Sequence, residues 1–316
     1  MKILITGAAG DIGSRLVKIL GGYLNVDLYT SALESLNFEA NSFHRSFDIR
    51  SNEFFSWVES IKPDVIIHLA SVIQLPKSMT IDQAHDIDVK ATERLLETSI
   101  KIGVKKFVIT SSGAAYGYWK DNSKWLTEDM PMRGNDDYFY SSHKRQIEEI
   151  MARYREVYPQ LSQVVLRPGT VLGPNFNNPI TNIFSKNIIL GIARSESPFV
   201  IIWIDDLVDY LIEAAVTDIE GVYNVAGDGS LTLKKIAKRL NKFYLPIPSS
   251  ALKFLLSILK PLKLSQYGPE QVKFIEFRPV LANNKIKANF KHQPRKSTEQ
   301  AFEAFLQETK REYVKA

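Results

Sequence analysis

Short apolar runs alternate with longer amphipathic segments over the first half of the chain. The runs occupy residues 3–6, 26–30, 64–69, 106–111 and 163–167, with a weaker one at 43–47. Each is rich in Ile, Val, Leu or Phe, as strands buried on both faces are. Between them, apolar residues recur at helical spacing over 12–20, 82–102 and 141–158. The last of these stops at Pro159, which cannot continue a helix. Strands alternating with helices predict crossover units and a parallel sheet with helices on both faces.

The rhythm changes after Arg167. Arg167-Pro168-Gly169 and Leu172-Gly173-Pro174-Asn175 form loops, and Pro179, Pro198, Pro246, Pro248 and Pro261 punctuate the rest of the chain. Residues 222–225 read as one more strand returning to the sheet. The expected organisation is α/β. A nucleotide-binding unit spans 1–168, with 203–226 returning to it, and a smaller, mostly helical unit is built from 169–202 and 227–316. Open parallel sheets bind ligands in the crevice at the carboxyl ends of their strands, so the smaller unit should close over that edge.

Composition narrows the chemistry. With no cysteine, disulfides, thiolate nucleophiles and cysteine metal sites are excluded, and no other metal site is expected. The net charge of +5 is spread along the chain, with a bias in Lys285, Lys287, Lys291, Arg295 and Lys296. Without a recognition motif it reads as a solvated basic face, and no nucleic-acid partner is expected. Met1-Lys2-Ile3-Leu4-Ile5-Thr6 runs straight into a glycine loop and leaves no room for a signal peptide. The apolar run 251–259 carries Lys253 and stops at Lys260-Pro261. It is too short to span a bilayer and reads as a core helix. A cytoplasmic protein without a membrane partner is expected.

Thr6-Gly7-Ala8-Ala9-Gly10-Asp11-Ile12-Gly13 comes directly after the first strand and opens the first helix. Glycines let the backbone turn sharply and approach a pyrophosphate, while the helix start supplies oriented N–H donors. Strand before and helix after make this triplet a dinucleotide signal. At the end of the second strand, where an acid would bind the NAD ribose and an arginine the NADP phosphate, the chain has Thr30-Ser31. Asp11 repels a 2′-phosphate, which favours NAD and leaves NADP as the alternative. Asp48-Ile49 lies after the third strand and can accept from the adenine amino group.

Tyr140 and Lys144 lie four residues apart at a helix start and therefore on one face. A phenol of pKa about 10 is a poor base at neutral pH. A neighbouring ammonium and a positive nicotinamide would lower it toward use. The strand 106–111 ends in Thr110-Ser111-Ser112, and Gly113-Ala114-Ala115-Tyr116-Gly117 comes next. The Ser112 hydroxyl can therefore hold the substrate oxygen whose proton Tyr140 moves.

Together these motifs resemble the extended short-chain dehydrogenase/reductase family, the group of NAD-dependent epimerases and dehydratases. The resemblance covers most of the chain and implies a Rossmann-type doubly wound sheet. Gly7, Gly10, Asp11, Ile12 and Gly13 match its cofactor loop, Asp48-Ile49 its adenine contact, and His68-Leu69-Ala70-Ser71 its fourth-strand motif. Ser112, Tyr140 and Lys144 match its catalytic set. It implies that Lys144 also binds the nicotinamide ribose, that Pro168 sits near the carboxamide, and that Ala114, Thr170 and Arg278 face substrate. Trp203-Ile204-Asp205-Asp206-Leu207 and Tyr223-Asn224-Val225-Ala226-Gly227 resemble later landmarks. A homodimer is implied through the helices 82–102 and 141–158, the second offering Ile147, Ile150 and Met151.

Three departures stand out. Asp88 replaces an asparagine that is usual behind the active site. Phe199 stands where nucleotide-sugar members place an arginine for the diphosphate, with Arg194 and Arg278 as the other basic candidates. The segment between Pro174 and Trp203 is short, leaving little wall for a large nucleotide. Gly113-Ala114 also lacks the acidic pair of a dehydratase. The leading expectation is an epimerase or dehydrogenase acting on a secondary alcohol of a sugar or sugar nucleotide. The alternatives are a reductase of a more apolar carbonyl compound and a dinucleotide-sensing regulator without catalysis.

Overall fold

The computed structural model describes residues 1–34, 42–174, 176, 179–262, 264–265 and 268–315; Asn175 of the loop after Gly173 lies outside them. The first half alternates as the apolar pattern predicts. It runs β1 (Lys2–Thr6), α1 (Asp11–Leu20), β2 (Asp27–Ala32), β3 (Ser42–Ser46), α2 (Asn52–Ile61) and β4 (Val65–His68). Then come α3 (Ile81–His85), a π turn (Asp86–Lys90), α4 (Ala91–Ile102), β5 (Lys106–Thr110), α5 (Phe139–Val157) and β6 (Ser162–Pro168). Local chemistry sets the starts. The Ser51 hydroxyl accepts the Phe54 N–H at 3.1 Å to open α2, and Thr80 and Gln83 form a reciprocal cap on α3.

The 82–102 segment expected as one helix is interrupted. Between Asp86 and Lys90 the hydrogen bonds lengthen to i→i+5, with the Ala91 N–H reaching the Asp86 carbonyl. This π turn inserts an extra residue and brings Asp88 under β4.

The second half runs β7 (Thr170–Leu172), α6 (Pro179–Ser185), β8 (Ile188–Ile192), β9 (Pro198–Phe199), β10 (Ile201–Trp203), α7 (Ile204–Val216) and β11 (Gly221–Val225). It continues with β12 (Leu231–Thr232), α8 (Leu233–Arg239), β13 (Phe243–Ile247), α9 (Ser249–Leu259), α10 (Lys273–Glu276), α11 (Asn284–Asn289) and α12 (Thr298–Lys315).

Seven strands form one parallel sheet in the order β11-β6-β5-β4-β1-β2-β3. The returning strand expected at 222–225 is its edge, β11. Alternation along the strands builds two cores. Ile3, Ile5, Ile67, Val108, Val164 and Leu166 pack with α1 and α7, whereas Leu4, Ile66, Phe107, Ile109 and Val165 pack with α2, α4 and α5. Both faces are therefore dry. Ile147, Ile150 and Met151 lie in the second core, so the residues offered for a subunit contact are buried within their own chain.

The remaining elements hold two-stranded sheets as well as helices: β7 with β10, β8 with β13, and β9 with β12. Leu172, Phe184, Ile189, Phe199, Leu231, Ile236 and Phe302 make their core. The stretch expected as a core helix is α9, and it is mostly outside. Only Leu252 is buried, while Phe254, Leu255 and Ile258 are exposed. Among the described residues no helix is long and apolar enough to cross a membrane.

Candidate active site

The chain runs β1 to β2 to β3 toward one edge of the sheet and returns to place β4 on the other side of β1. At such a switch point the loops leave the carboxyl ends in opposite directions and open a crevice. A cavity of about 680 Å³ lies there, running from the glycine turn to Arg278.

At one end Gly7 adopts φ +69°, a conformation L-residues rarely take. A Cβ on Gly7 would sit 2.6 Å from the Ala70 N, and one on Gly13 would sit 2.3 Å from the Gly7 carbonyl oxygen. Gly10 differs: its nearest neighbour would be the Gly7 oxygen at 3.4 Å, so the fold itself would admit a side chain there. Gly7, Gly10, Asp11, Ile12 and Gly13 all line the cavity. Gly7 and Gly13 are required by packing, and Gly10 keeps space open.

Most of the expected cofactor residues come together. Ser31, Asp48, Ile49, Leu69, Ala70, Ser71, Tyr140, Lys144 and Pro168 line the same cavity. Thr30 does not. It is fully buried, with its hydroxyl 3.0 Å from His44 Nδ1, because its side chain points back into the β2–β3 layer. The strand end lies two residues later than expected, at Ala32, and the acid sought there is Glu34, which lines the cavity. Sequence reading missed it by ending β2 too early. Asp48 is clamped by Arg50, whose guanidinium donates at 2.9 and 2.6 Å and holds the carboxyl below its usual range.

Three observations fit a dinucleotide here. Gly7 and Gly13 hold the turn open against α1, whose N–H groups face the cavity end. Ser71 Oγ is buried at the wall without a partner. Glu34 supplies a carboxylate at the end of β2.

At the other end, α5 and the turn after β5 meet. Ser112 caps a 3₁₀ turn, accepting the Ala114 N–H at 3.1 Å, and lines the cavity together with Tyr140. Lys144 lies beneath, its Nζ 5.6 Å from the Tyr140 ring centre and donating to the Thr110 carbonyl at 3.2 Å. The expected lowering of the Tyr140 pKa is absent. Burial pushes it up to about 12, and the neighbouring Ser112 side chain only partly opposes that. Burial also lowers Lys144, against the carboxylates of Asp88 and Glu148, which favour its charge.

The helix is tied down from behind. Asp88 accepts the Val72 N–H at 2.7 Å and pairs with His143 Nδ1 at 2.9 Å. Glu148, one turn beyond Lys144, takes a bidentate Arg167 guanidinium at 2.9 and 2.6 Å together with the Ser111 hydroxyl. The same Arg167 donates to Tyr116 Oη at 2.7 Å.

Arg278 answers the missing arginine at Phe199. Its guanidinium carbon lies 3.9 Å over that ring, and Nη2 is 3.4 Å from Thr170 Oγ1. Thr170, Ala114 and Arg278 line the cavity with Ser112, as expected for substrate contacts, and Arg194 is not among the lining residues. Sequence reading did not find the aromatic wall of Tyr118 and Tyr138, whose rings pack on Phe274 at 4.8 and 4.1 Å. Tyr138 lies two residues before Tyr140, yet only the folded segment 117–138 brings Tyr118 beside it.

A cavity reaching from a glycine turn to a buried phenol–ammonium pair is the arrangement of a dinucleotide-using enzyme. A profile of the NAD dependent epimerase/dehydratase family matches residues 3–226, and the chain belongs to that family. It is an enzyme of the extended short-chain dehydrogenase/reductase type. The chain is 32% identical over 234 residues to the UDP-glucose 4-epimerase of Mycolicibacterium smegmatis, covering 68% of this chain and 73% of that one. It is 27% identical over 208 residues to the GDP-6-deoxy-D-talose 4-dehydrogenase of Aggregatibacter actinomycetemcomitans, covering 63% and 66%. The solved UDP-glucose 4-epimerase of Thermotoga maritima, with UDP-glucose, superposes with a TM-score of 0.76 at 22% identity over 99% of this chain and 100% of that one. That likeness gives the fold.

Proposed function

We propose that the protein is an NAD-dependent epimerase or dehydrogenase acting on a secondary alcohol of a sugar nucleotide. The observation that carries this reading is the meeting of Ser112, Tyr140 and Lys144 in the cavity that the glycine turn also lines. Dinucleotide bound along Gly7–Gly13, Glu34 and Ser71 would supply the hydride acceptor. Ser112 Oγ holds the substrate oxygen, and Tyr140 Oη takes the hydroxyl proton as the carbonyl forms. Lys144 Nζ fixes the ribose and provides the positive charge that favours phenolate. Thr170 and Arg278 orient the substrate, with the guanidinium placed for a phosphate. The smaller unit, 169–202 and 227–316, forms the substrate side of the cavity.

The reading is supported by family membership and by the named activities of the relatives. The test is turnover of purified enzyme with UDP-, dTDP- and GDP-hexoses, in the presence of NAD or NADP. Interconversion of epimers without net NADH marks an epimerase, and stoichiometric NADH marks a dehydrogenase. Turnover of none of them overturns the substrate class.

One observation favours a second reading, a reductase of a more apolar carbonyl compound. Tyr118, Tyr138, Val200 and Leu281 wall the substrate end, and Arg278 is its one cation among the described lining residues beyond Lys144 and Arg50. Aromatic ketones belong in the same panel. We also propose a cytoplasmic homodimer. Pairing through α4 and α5 would be polar, because their apolar sides already cover the sheet. A monomeric mass by light scattering at micromolar concentration refutes it.

A further inference from the structure

The two-stranded sheet β8–β13 has one face that the protein covers only in part. Register pairs Ile188 with Phe243, Leu190 with Leu245 and Ile192 with Ile247. Alternation puts these six side chains on the same face. At the far end, Ile192 and Ile247 join Leu252 and Leu256 of α9 in a small cluster closed by Val272 and Ile275. The near end is open: Ile188, Leu190, Phe243 and Leu245 are all exposed, Phe243 at 67%.

Helix α9 continues that open surface. At about 100° per residue, Leu252, Leu256 and Leu259 form the stripe that faces the body. Leu255, Ala251, Ile258 and Phe254 carry the apolar arc on around the helix, away from it. Phe254 is 69% exposed, and Leu262 and Leu264 prolong the patch beyond the helix end. The apolar arc, from Leu256 round to Phe254, spans about 200°, about three times the stripe that faces the body. A soluble monomer rarely leaves so large a contiguous patch without a use.

Charge identifies the occupant. Residues 182–194 and 241–262 carry Lys186, Arg194, Lys242, Lys253 and Lys260 and no Asp or Glu. Of the carboxylates that flank these segments, Glu270 pairs with Lys260 at 2.6 Å and Glu276 accepts the Ser249 hydroxyl at 2.7 Å, while Glu196 is exposed two residues beyond Arg194. A second copy docked by two-fold symmetry would set these cations against themselves. An anionic lipid surface complements them, taking apolar side chains below its headgroups and lysines among them. We propose that the β8–β13 face and α9 form a docking surface for an anionic bilayer, on which the enzyme lies without crossing it.

Co-sedimentation of the whole protein with vesicles tests this. Vesicles of about three parts phosphatidylcholine to one part phosphatidylglycerol should carry the protein down, and pure phosphatidylcholine should carry down much less. Raising salt from about 0.1 to about 0.5 M should weaken binding at least about threefold. The pair Phe254→Ser and Ile258→Ser should lower partitioning about tenfold or more, while Leu24→Ser, a fully exposed apolar site elsewhere, should not. All these side chains are exposed, so circular dichroism and thermal midpoints should be unchanged. The proposal falls if wild type and the double variant sediment alike, or if uncharged vesicles bind as well as anionic ones. It also falls if light scattering shows a dimer that the double variant dissociates, for then a second copy is the occupant.

Discussion

Glu148→Gln is the perturbation that best separates structure from chemistry. Glu148 and Arg167 are each buried to within a few per cent, and their contact is bidentate. Replacing the carboxylate by an amide keeps volume and shape but leaves the guanidinium buried beside a neutral group. Breaking a buried pair in this way costs about 3–5 kcal/mol. An unfolding entropy of about 2.1 cal/mol/K per residue over 316 residues converts that to a midpoint lowered by about 5–8 °C. The double variant Glu148→Leu with Arg167→Met removes both charges and should recover more than half of the loss. Differential scanning calorimetry reads both. Glu148 also favours the charge on Lys144, which burial disfavours. Removing it lowers the Lys144 pKa further, so the alkaline limb of kcat/KM should move to lower pH. A midpoint within about 1 °C of wild type would refute the claim that this pair holds α5 in place.

The same geometry sets other outcomes. Tyr140→Phe should leave NAD binding intact and reduce turnover about a hundred- to ten-thousand-fold, with Lys144→Met more harmful and Ser112→Ala intermediate; near wild-type turnover would remove Tyr140 from the mechanism. Gly10→Val should weaken NAD in calorimetry with little change in thermal midpoint. Gly13→Ala, whose Cβ would meet backbone at 2.3 Å, should lose about 1–3 kcal/mol of stability, and equal effects of the two would contradict the division between them. His68 is buried between Thr6 and Thr92, and burial lowers its pKa to about 3. Between pH 6.5 and 3 the unfolded chain takes up this proton and the native state does not, so stability falls as pH falls through that window. By pH 4.5 the loss from this group is about 2–3 kcal/mol, and His68→Asn in urea titrations should flatten the slope.

The sheet was legible because strands buried on both faces read as continuous apolar runs, and each of the six runs is a strand of the parallel sheet, with 222–225 as the seventh. α2 was equally present in the sequence. Phe54, Phe55, Val58 and Ile61 recur at helical spacing behind Ser51, but two aromatic neighbours and a short span hid the period. The catalytic candidates could be read because glycine turns, strand ends and i,i+4 pairs are local. The features that escaped depend on distant segments. Glu34 required the true end of β2, Tyr118 required the fold of the 117–138 segment, and the Tyr140 pKa is set by burial that no spacing reveals. The outward turn of α9 escaped for the opposite reason: its composition is that of a core helix, and only the partner it lacks distinguishes it.

The π turn at Asp86–Lys90 makes the length of this segment part of its information. Each residue of a helix advances it by about 100°, so deleting one between 86 and 90 would rotate everything on one side of the gap by that angle. Asp88 would then leave both the Val72 N–H and His143. The turn acts as a three-dimensional reading frame, in which a changed letter is absorbed locally and a changed count is carried to the back of the active site.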